Sequence, residues 1–151
     1  MPATTNASDS LDCLIVTHTI DQDLTMNSPL PFWQTTTLDD MTQEQWESLC
    51  DGCAQCCAHK LEDEESGEIF YTNIVCQYLD SQQCRCSVYP KRQQKVPDCI
   101  QITPQNAGSL SWIPATCAYK RLANGQPLPQ WHPLITGKPD SARLANVSVS
   151  G

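Results

Sequence analysis

The sequence predicts a small, loop-rich α+β single domain with a few short helices and one β-hairpin. Three observations support this prediction: a length of 151 residues, 11 prolines spread between short apolar segments, and few large apolar side chains. Leucine, isoleucine, valine and phenylalanine supply 29 of the 151 residues, close to the limit of about 20% below which charged chains tend toward disorder. A hydrophobic core alone is therefore not expected to define the fold.

The first predicted element is a short helix. Thr42 and Gln45 have the spacing of a capping box, and the apolar pattern continues through Trp46 to Cys50. Gly52 argues against a longer helix. The segment after Cys50 is therefore either a helix that places some cysteines on one face or a pair of turns, each forming a C-x2-C knuckle.

Strands are predicted in the middle of the chain. Leu61–Glu68 is an acidic, exposed turn, and Glu68–Thr72 has the composition of a strand. Ile74–Tyr89 has the pattern of a hairpin whose turn is Asp80–Gln83. Such a hairpin would bring Cys76 close to Cys84 or Cys86.

Further helices are predicted where prolines can occupy a first turn. Pro104 and Pro114 each have this position, and the second helix would carry Cys117 and stop near Gly125.

The boundaries of the domain follow from composition. Residues 1–31 are rich in small polar side chains and predict a disordered leader, in which Met26 is an alternative start that would leave Cys13 outside the functional protein. Residues 32–140 form the predicted domain. Residues 141–151 are predicted to be an irregular or truncated tail.

Charge and targeting features narrow the functional classes. The net charge is −8 with only nine Lys and Arg residues, which disfavours a nucleic-acid partner. No apolar run approaches the roughly 20 residues that span a membrane. The N-terminus lacks the basic start and long apolar core of a signal peptide. A cytoplasmic location follows, and in that reducing compartment clustered thiols usually bind metal or carry out redox chemistry.

The strongest functional signal is the segment "LCDGCAQCCAHK". It places Cys50, Cys53, Cys56 and Cys57 within eight residues. The C-x2-C-x2-C spacing is that of the first three ligands of bacterial iron–sulfur sites, but Lys60 stands where the fourth cysteine would be. The adjacent Cys56 and Cys57 are expected to point apart, so that they serve two sites or one of them serves packing.

The missing ligands are expected from downstream cysteines. Zinc takes four such ligands in structural sites, and iron or an iron–sulfur cluster takes the same donors, so both metals stay open. Structural zinc contributes about 10–16 kcal/mol, as much as the whole stability of a typical domain. The sequence therefore predicts a metal-stapled domain. Its candidate metal ligands are Cys50, Cys53, Cys56, Cys57, Cys76, Cys86, Cys99 and Cys117.

Four alternatives are open: a disulfide scaffold, a redox dithiol, a redox or group-transfer enzyme, and a metal-scaffolded protein-interaction module. The even total of ten cysteines would suit a disulfide scaffold, and Cys50 and Cys53 could form a redox dithiol, although the βαβ context of that motif is absent. A redox or group-transfer enzyme would use a cysteine-ligated cluster or a reactive thiolate at Cys53 or Cys57. No paired acid and base, Ser-His-Asp triad or nucleotide-binding motif occurs, which disfavours an enzyme. A protein-interaction module would use the proline-rich loop at Trp131 to contact a partner.

The order of these motifs resembles one family. "PFWQTTTLDDMTQEQWESLCDGCAQCCAHKLEDE", "FYTNIVCQYLD", "CRCSVY", "VPDC" and "WIPATCAYKRLANGQPLPQWHPLITG" succeed one another from Pro31 to Gly137. This succession resembles the CxxCxxCC cysteine-cluster proteins, within them the YcgN-type group.

The resemblance implies a bacterial, cytoplasmic member of an uncharacterised protein family that chelates zinc or iron. Cys50 to Cys57 correspond to the name-giving motif, and Cys76, Cys86 and Cys99 to the downstream cysteines of the broader family. Cys84 and Cys117 correspond to the YcgN-type group. The leader before Met26 departs from the family pattern, and the family continues beyond the end of this chain.

Overall fold

The structure is a computed structural model that describes residues 29–150. The predicted leader lies almost entirely outside these residues, as do Cys13 and Met26. The described part confirms the mixed α+β prediction. Its helices are α1 (Phe32–Thr35), α2 (Gln43–Ser48), α3 (Arg92–Lys95), α4 (Ala118–Ala123), α5 (Pro133–Thr136) and α6 (Ser141–Leu144). Its strands are β1 (Ala58–Glu62), β2 (Ile69–Val75), β3 (Leu79–Asp80) and β4 (Arg85–Cys86).

Helix α2 begins at the predicted capping box. The Thr42 side chain accepts a hydrogen bond from the Gln45 amide, and the Gln45 side chain accepts one from the Thr42 amide. The helix ends before the cysteine motif, and Gly52 adopts a φ of 72°. Ala54 adopts a φ of 57°, which costs a residue with a Cβ atom about 1–2 kcal/mol. Of the two sequence alternatives, the structure therefore has turns and no continuing helix.

The sequence did not predict the longest hairpin. Strand β1 starts directly after Cys57 and pairs antiparallel with β2, so that Leu61 faces Phe70. The acidic turn between the strands is exposed as predicted. The Asp63 side chain closes this turn by accepting hydrogen bonds from two backbone amides.

The predicted hairpin within Ile74–Tyr89 is present but shorter. Only β3 and β4 pair, with Leu79 opposite Cys86. Ile74 and Val75, predicted in its first strand, belong instead to β2, because Val75 pairs with Ala58 of β1.

A small core connects the two ends of the cysteine-rich region. Buried Leu49, Ala107, Ala118, Tyr119 and Leu128 form it. The ring centroids of Trp46 and Tyr119 lie 4.6 Å apart, and the Tyr119 hydroxyl donates a hydrogen bond of 3.0 Å to the Trp46 carbonyl. This contact holds α2, which precedes Cys50, against α4, which follows Cys117.

Neither of the two predicted helices starts at its proline. Helix α4 ends two residues before Gly125, whose φ is 68°, and this end agrees with the prediction. Its predicted start is wrong, because the Pro114 carbonyl accepts from the Cys117 amide in a turn before the helix and Cys117 is the N-cap residue. The stretch from Pro104 forms turns and no helix.

Residues 141–150 are irregular apart from the four-residue α6 and lie against the cysteine motif. The Val149 amide donates to the Cys53 carbonyl at 2.9 Å, and the Gln55 side chain donates to the Val147 carbonyl at 2.6 Å. The segment thus braces the second turn of the motif. Across residues 29–150, no helix combines the length and the apolar character needed to cross a membrane.

Candidate metal centre

One open cleft of about 1980 Å³ collects the cysteines of the described residues. All nine line it, and all nine are free thiols. They are Cys50, Cys53, Cys56, Cys57, Cys76, Cys84, Cys86, Cys99 and Cys117. The eight predicted ligands therefore share one cavity, together with Cys84.

The first C-x2-C pair is held by two tight turns. Cys50 is exposed in the cleft, and the protein packed around it partly desolvates its sulfur and raises the pKa of this thiol to about 12. Burial, followed by the nearby Asp51 carboxylate, also raises the pKa of Cys53 well above its usual value. The amides of Gly52 and Gln55 lie near the sulfurs of Cys50 and Cys53 and oppose these pKa shifts.

Cys117 joins this pair from the far end of the chain. It is the N-cap residue of α4, and burial raises the pKa of its thiol, while the amides of Tyr119 and Lys120 lower it. A thiolate at Cys117 would repel one at Cys50, which adds to the rise in the pKa of Cys50. We call Cys50, Cys53 and Cys117 the first thiol group.

A second thiol group consists of Cys57, Cys76, Cys86 and Cys99, whose charges interact across the cleft. The β1–β2 and β3–β4 hairpins bring three of these cysteines together. The Cys76 amide donates a 2.9 Å hydrogen bond to the Cys57 carbonyl, one residue beyond the β1–β2 ladder. Leu79 then pairs with Cys86 across the β3–β4 hairpin. Burial raises the pKa of Cys99, and the positive charge of Arg92 opposes this rise.

Cys56 lies between the two groups. Its charge interacts with those of Cys50 and Cys117 on one side and Cys99 on the other. The thiols of Cys56 and Cys57 lie close enough to interact, which does not fit the expectation that they point apart. This interaction and burial raise the pKa of Cys56 far above its usual value, and the same interaction lowers the pKa of Cys57.

Cys84 and the histidines have other environments. Cys84 occupies the hairpin turn with a φ of 51°, and its thiol lies 3.7 Å from the Ser81 carbonyl. His59 is exposed. His132 is fully buried; its Nδ1 accepts from the Leu134 amide at 3.1 Å, so its Nε2 carries the proton and donates to the Leu49 carbonyl at 3.0 Å.

Lys60 has a larger role than the sequence indicated. Its ammonium donates to the carbonyls of Gln55, Cys56 and Ala58 at 3.0, 3.2 and 2.7 Å. It also lies 5.3 Å from the ring centroid of Tyr71 and 5.2 Å from that of Trp112. Lys60 therefore clamps the Cys56–Cys57 turn and places a positive charge beside three thiols of the motif.

Asp51 is the residue that sequence reasoning missed. It is only 7% exposed; its Oδ1 accepts from the Cys53 amide at 2.9 Å, and its buried Oδ2 has no hydrogen-bond partner. The Asp51–Gly52 dipeptide between two cysteines is a turn signal. It would have indicated the bond from the Cys53 amide to Oδ1, but not the buried Oδ2 without a partner.

The donor set fits zinc or iron, because thiolates bind both metals. In this conformation no three His, Cys, Asp or Glu side chains among residues 29–150 stand in an arrangement that could hold one ion. The thiols therefore line one cleft without forming a complete coordination shell among the described residues.

Comparison with known proteins agrees with this site. A family described as CxxCxxCC, a "putative zinc- or iron-chelating domain", matches residues 49–118. A UPF0260 protein of Marinobacter nauticus is 53% identical over 126 residues, covering 83% of this chain and 85% of the relative. A UPF0260 protein of Gluconacetobacter diazotrophicus is 50% identical over 126 residues, covering 83% and 79%.

A third relative, the UPF0260 protein of Azotobacter vinelandii, is 53% identical over 121 residues, covering 80% of this chain and 81% of the relative. No solved structure is significantly similar to the chain. The matched segment starts at Leu49 and ends at Ala118, so it contains every thiol of both groups. This chain belongs to the UPF0260 family and contains its CxxCxxCC domain.

Proposed function

We propose that this protein binds zinc or iron through its eight clustered cysteines. The first thiol group and the second thiol group would form two neighbouring sites, with Cys56 between them. The observation that carries the proposal is the arrangement of these eight thiols around one cleft, in two groups whose members interact. Free thiols persist in a reducing compartment, so we place the protein in the cytoplasm.

The raised pKa values of the thiols make metal binding in this cleft depend on pH. Burial raises the pKa values of Cys50, Cys53, Cys99 and Cys117, so these thiols are protonated at neutral pH when no metal is bound. Thiolates are the ligands that metals take, and a bound cation therefore replaces the thiol protons. Metal uptake should release protons and strengthen as the pH rises.

The same ions would act as staples for the fold. Cys50 and Cys117 lie 67 positions apart in the sequence, and the short strands and helices between them bury few large side chains. A metal bound by both cysteines would join the ends of this segment in the folded protein but not in the unfolded chain. Binding energy of about 10 kcal/mol or more then becomes folding energy, which would exceed what the small core supplies.

Anaerobic reconstitution tests the proposal. The full chain is purified without oxygen, loaded with Zn²⁺ or with Fe²⁺ and sulfide, and desalted, and bound metal is then measured per chain. We expect colourless protein with stoichiometric zinc, or brown protein with stoichiometric iron if the sites hold iron–sulfur clusters. A folded protein that retains neither metal would refute the proposal, as would a metal-free protein with unchanged folding and melting temperature.

A second candidate function is catalysis by a reactive thiolate. The observation that favours it is the neighbouring Cys56 thiol, whose interaction lowers the pKa of Cys57. Iodoacetamide labelling separates the two roles. A metal ligand should be protected in the metal-loaded protein, whereas a catalytic thiolate at Cys57 would stay reactive there.

A further inference from the structure

We propose that Asp51 is an oxygen ligand of the metal at the first thiol group, which makes this site a mixed thiolate–carboxylate site. This inference rests on the proposed function. The first thiol group supplies three sulfurs, from Cys50, Cys53 and Cys117, and Asp51 lines the same cleft. Asp51 would supply the fourth donor that a tetrahedral site requires.

The burial of Asp51 indicates a missing partner. The residue is 93% buried, and a carboxylate removed from water is costly unless its oxygens are paired. Oδ1 is paired with the Cys53 amide at 2.9 Å. Oδ2 is one of only two buried side-chain polar atoms without a partner in the described part of the chain.

The neighbours of Asp51 point to a cation as that partner. Its charge interacts with those of Cys50, Cys53 and Cys117, and with that of His132. His132 cannot serve Oδ2, because both its ring nitrogens are used by the backbone of Leu49 and Leu134.

A carboxylate oxygen that is buried without a partner is costly, and a cation is the partner that offsets this cost best. A metal ion between the carboxylate and the sulfurs would be such a partner. The orientation of Asp51 is already fixed for this role by the Oδ1 bond to the Cys53 amide.

The donor chemistry limits the class of metal. Zn²⁺ accepts Asp oxygen at about 2.0–2.2 Å together with Cys sulfur at about 2.3 Å. A hard carboxylate among soft thiolates is less suited to Cu(I), which prefers sulfur alone. The site therefore favours Zn²⁺ or Fe²⁺ over copper.

X-ray absorption of the full chain loaded with Zn²⁺ alone tests the inference. We expect a sulfur shell near about 2.3 Å and an additional oxygen contribution near about 2.0–2.2 Å. Asp51→Asn keeps the size of the side chain and an acceptor for the Cys53 amide. It should remove the oxygen contribution and weaken Zn²⁺ binding at one site by at least about tenfold in chelator competition.

Asp63→Asn is the matched control, because Asp63 also accepts backbone amides in a turn but is exposed and outside the cleft. It should bind zinc like the wild type. An all-sulfur shell in the wild type overturns the inference even if Asp51→Asn does not fold, and so does unchanged affinity in Asp51→Asn; both leave the proposed function standing. Wild-type protein that retains neither zinc nor iron overturns the proposed function itself.

Discussion

Replacing Lys60 with methionine should destabilise the metal-loaded protein by about 2–4 kcal/mol. The substitution keeps an unbranched, mostly apolar side chain but removes the ammonium group. That group donates to three carbonyls around the Cys56–Cys57 turn, at 2.7 to 3.2 Å. It also contacts the faces of Tyr71 and Trp112.

The magnitude follows from these contacts. A hydrogen bond with one charged partner contributes roughly 1.5–3 kcal/mol. The three bonds of Lys60 are not additive, since they share one ammonium and since water can reach the partly exposed side chain. Two cation–π contacts at such sites add about 0.5–1 kcal/mol each, of which methionine recovers part by packing against the rings.

Equilibrium denaturation in urea, carried out anaerobically on zinc-loaded protein, measures this loss. Lys60→Arg keeps the charge and should lose less than Lys60→Met. Lys138→Met changes an exposed lysine outside the cleft and should stay within about 0.5 kcal/mol of the wild type. If Lys60→Met also stays within that range, the clamp around Cys56 contributes nothing and the reasoning is refuted.

Two further predictions concern His132 and Cys84. Burial lowers the pKa of His132, so the unfolded chain binds its proton more readily; wild-type stability should fall as the pH drops below about 6.5. His132→Phe should flatten this pH dependence. At higher pH its free energy of unfolding should be lower by about 2–4 kcal/mol, because two hydrogen bonds are lost. Urea titrations of both proteins from about pH 5 to 8 measure this, and an equal change of stability with pH in the two proteins would contradict the assignment. Cys84→Ser should leave the bound metal per chain unchanged, whereas Cys86→Ser should reduce it; elemental analysis showing equal losses would place Cys84 among the ligands.

The sequence predicted local structure well where residues close together in the chain determine it. The capping box at Thr42, the break at Gly52 and the end of α4 near Gly125 depend on hydrogen bonds or backbone angles within a few residues. Strand β2 includes most of the strand predicted at Glu68–Thr72, but β1 was missed, because exposed Leu61 and Glu62 were assigned to the acidic turn.

The eight thiols were predicted as candidates from spacing, but their grouping was not. Which thiol faces which depends on the pairing of Cys57 with Cys76 and on the packing of Trp46 against Tyr119, and both contacts join distant parts of the chain. The role of Asp51 could not be predicted either. An unpaired buried oxygen is a property of the folded structure and has no signature in the sequence.

Two of the positively charged side chains lie beside the cysteines of the cleft. Two sites of about four anionic donors around divalent ions would each retain a net charge of about −2, in a chain that is already at −8. Only nine Lys and Arg residues are available, yet Lys60 lies beside Cys53, Cys56 and Cys57 and Arg92 beside Cys99. Each cation is also fixed by an aromatic ring, Tyr71 for Lys60 and Tyr89 for Arg92. This placement stabilises excess negative charge in the cleft, which free thiols would not carry and metal thiolates would.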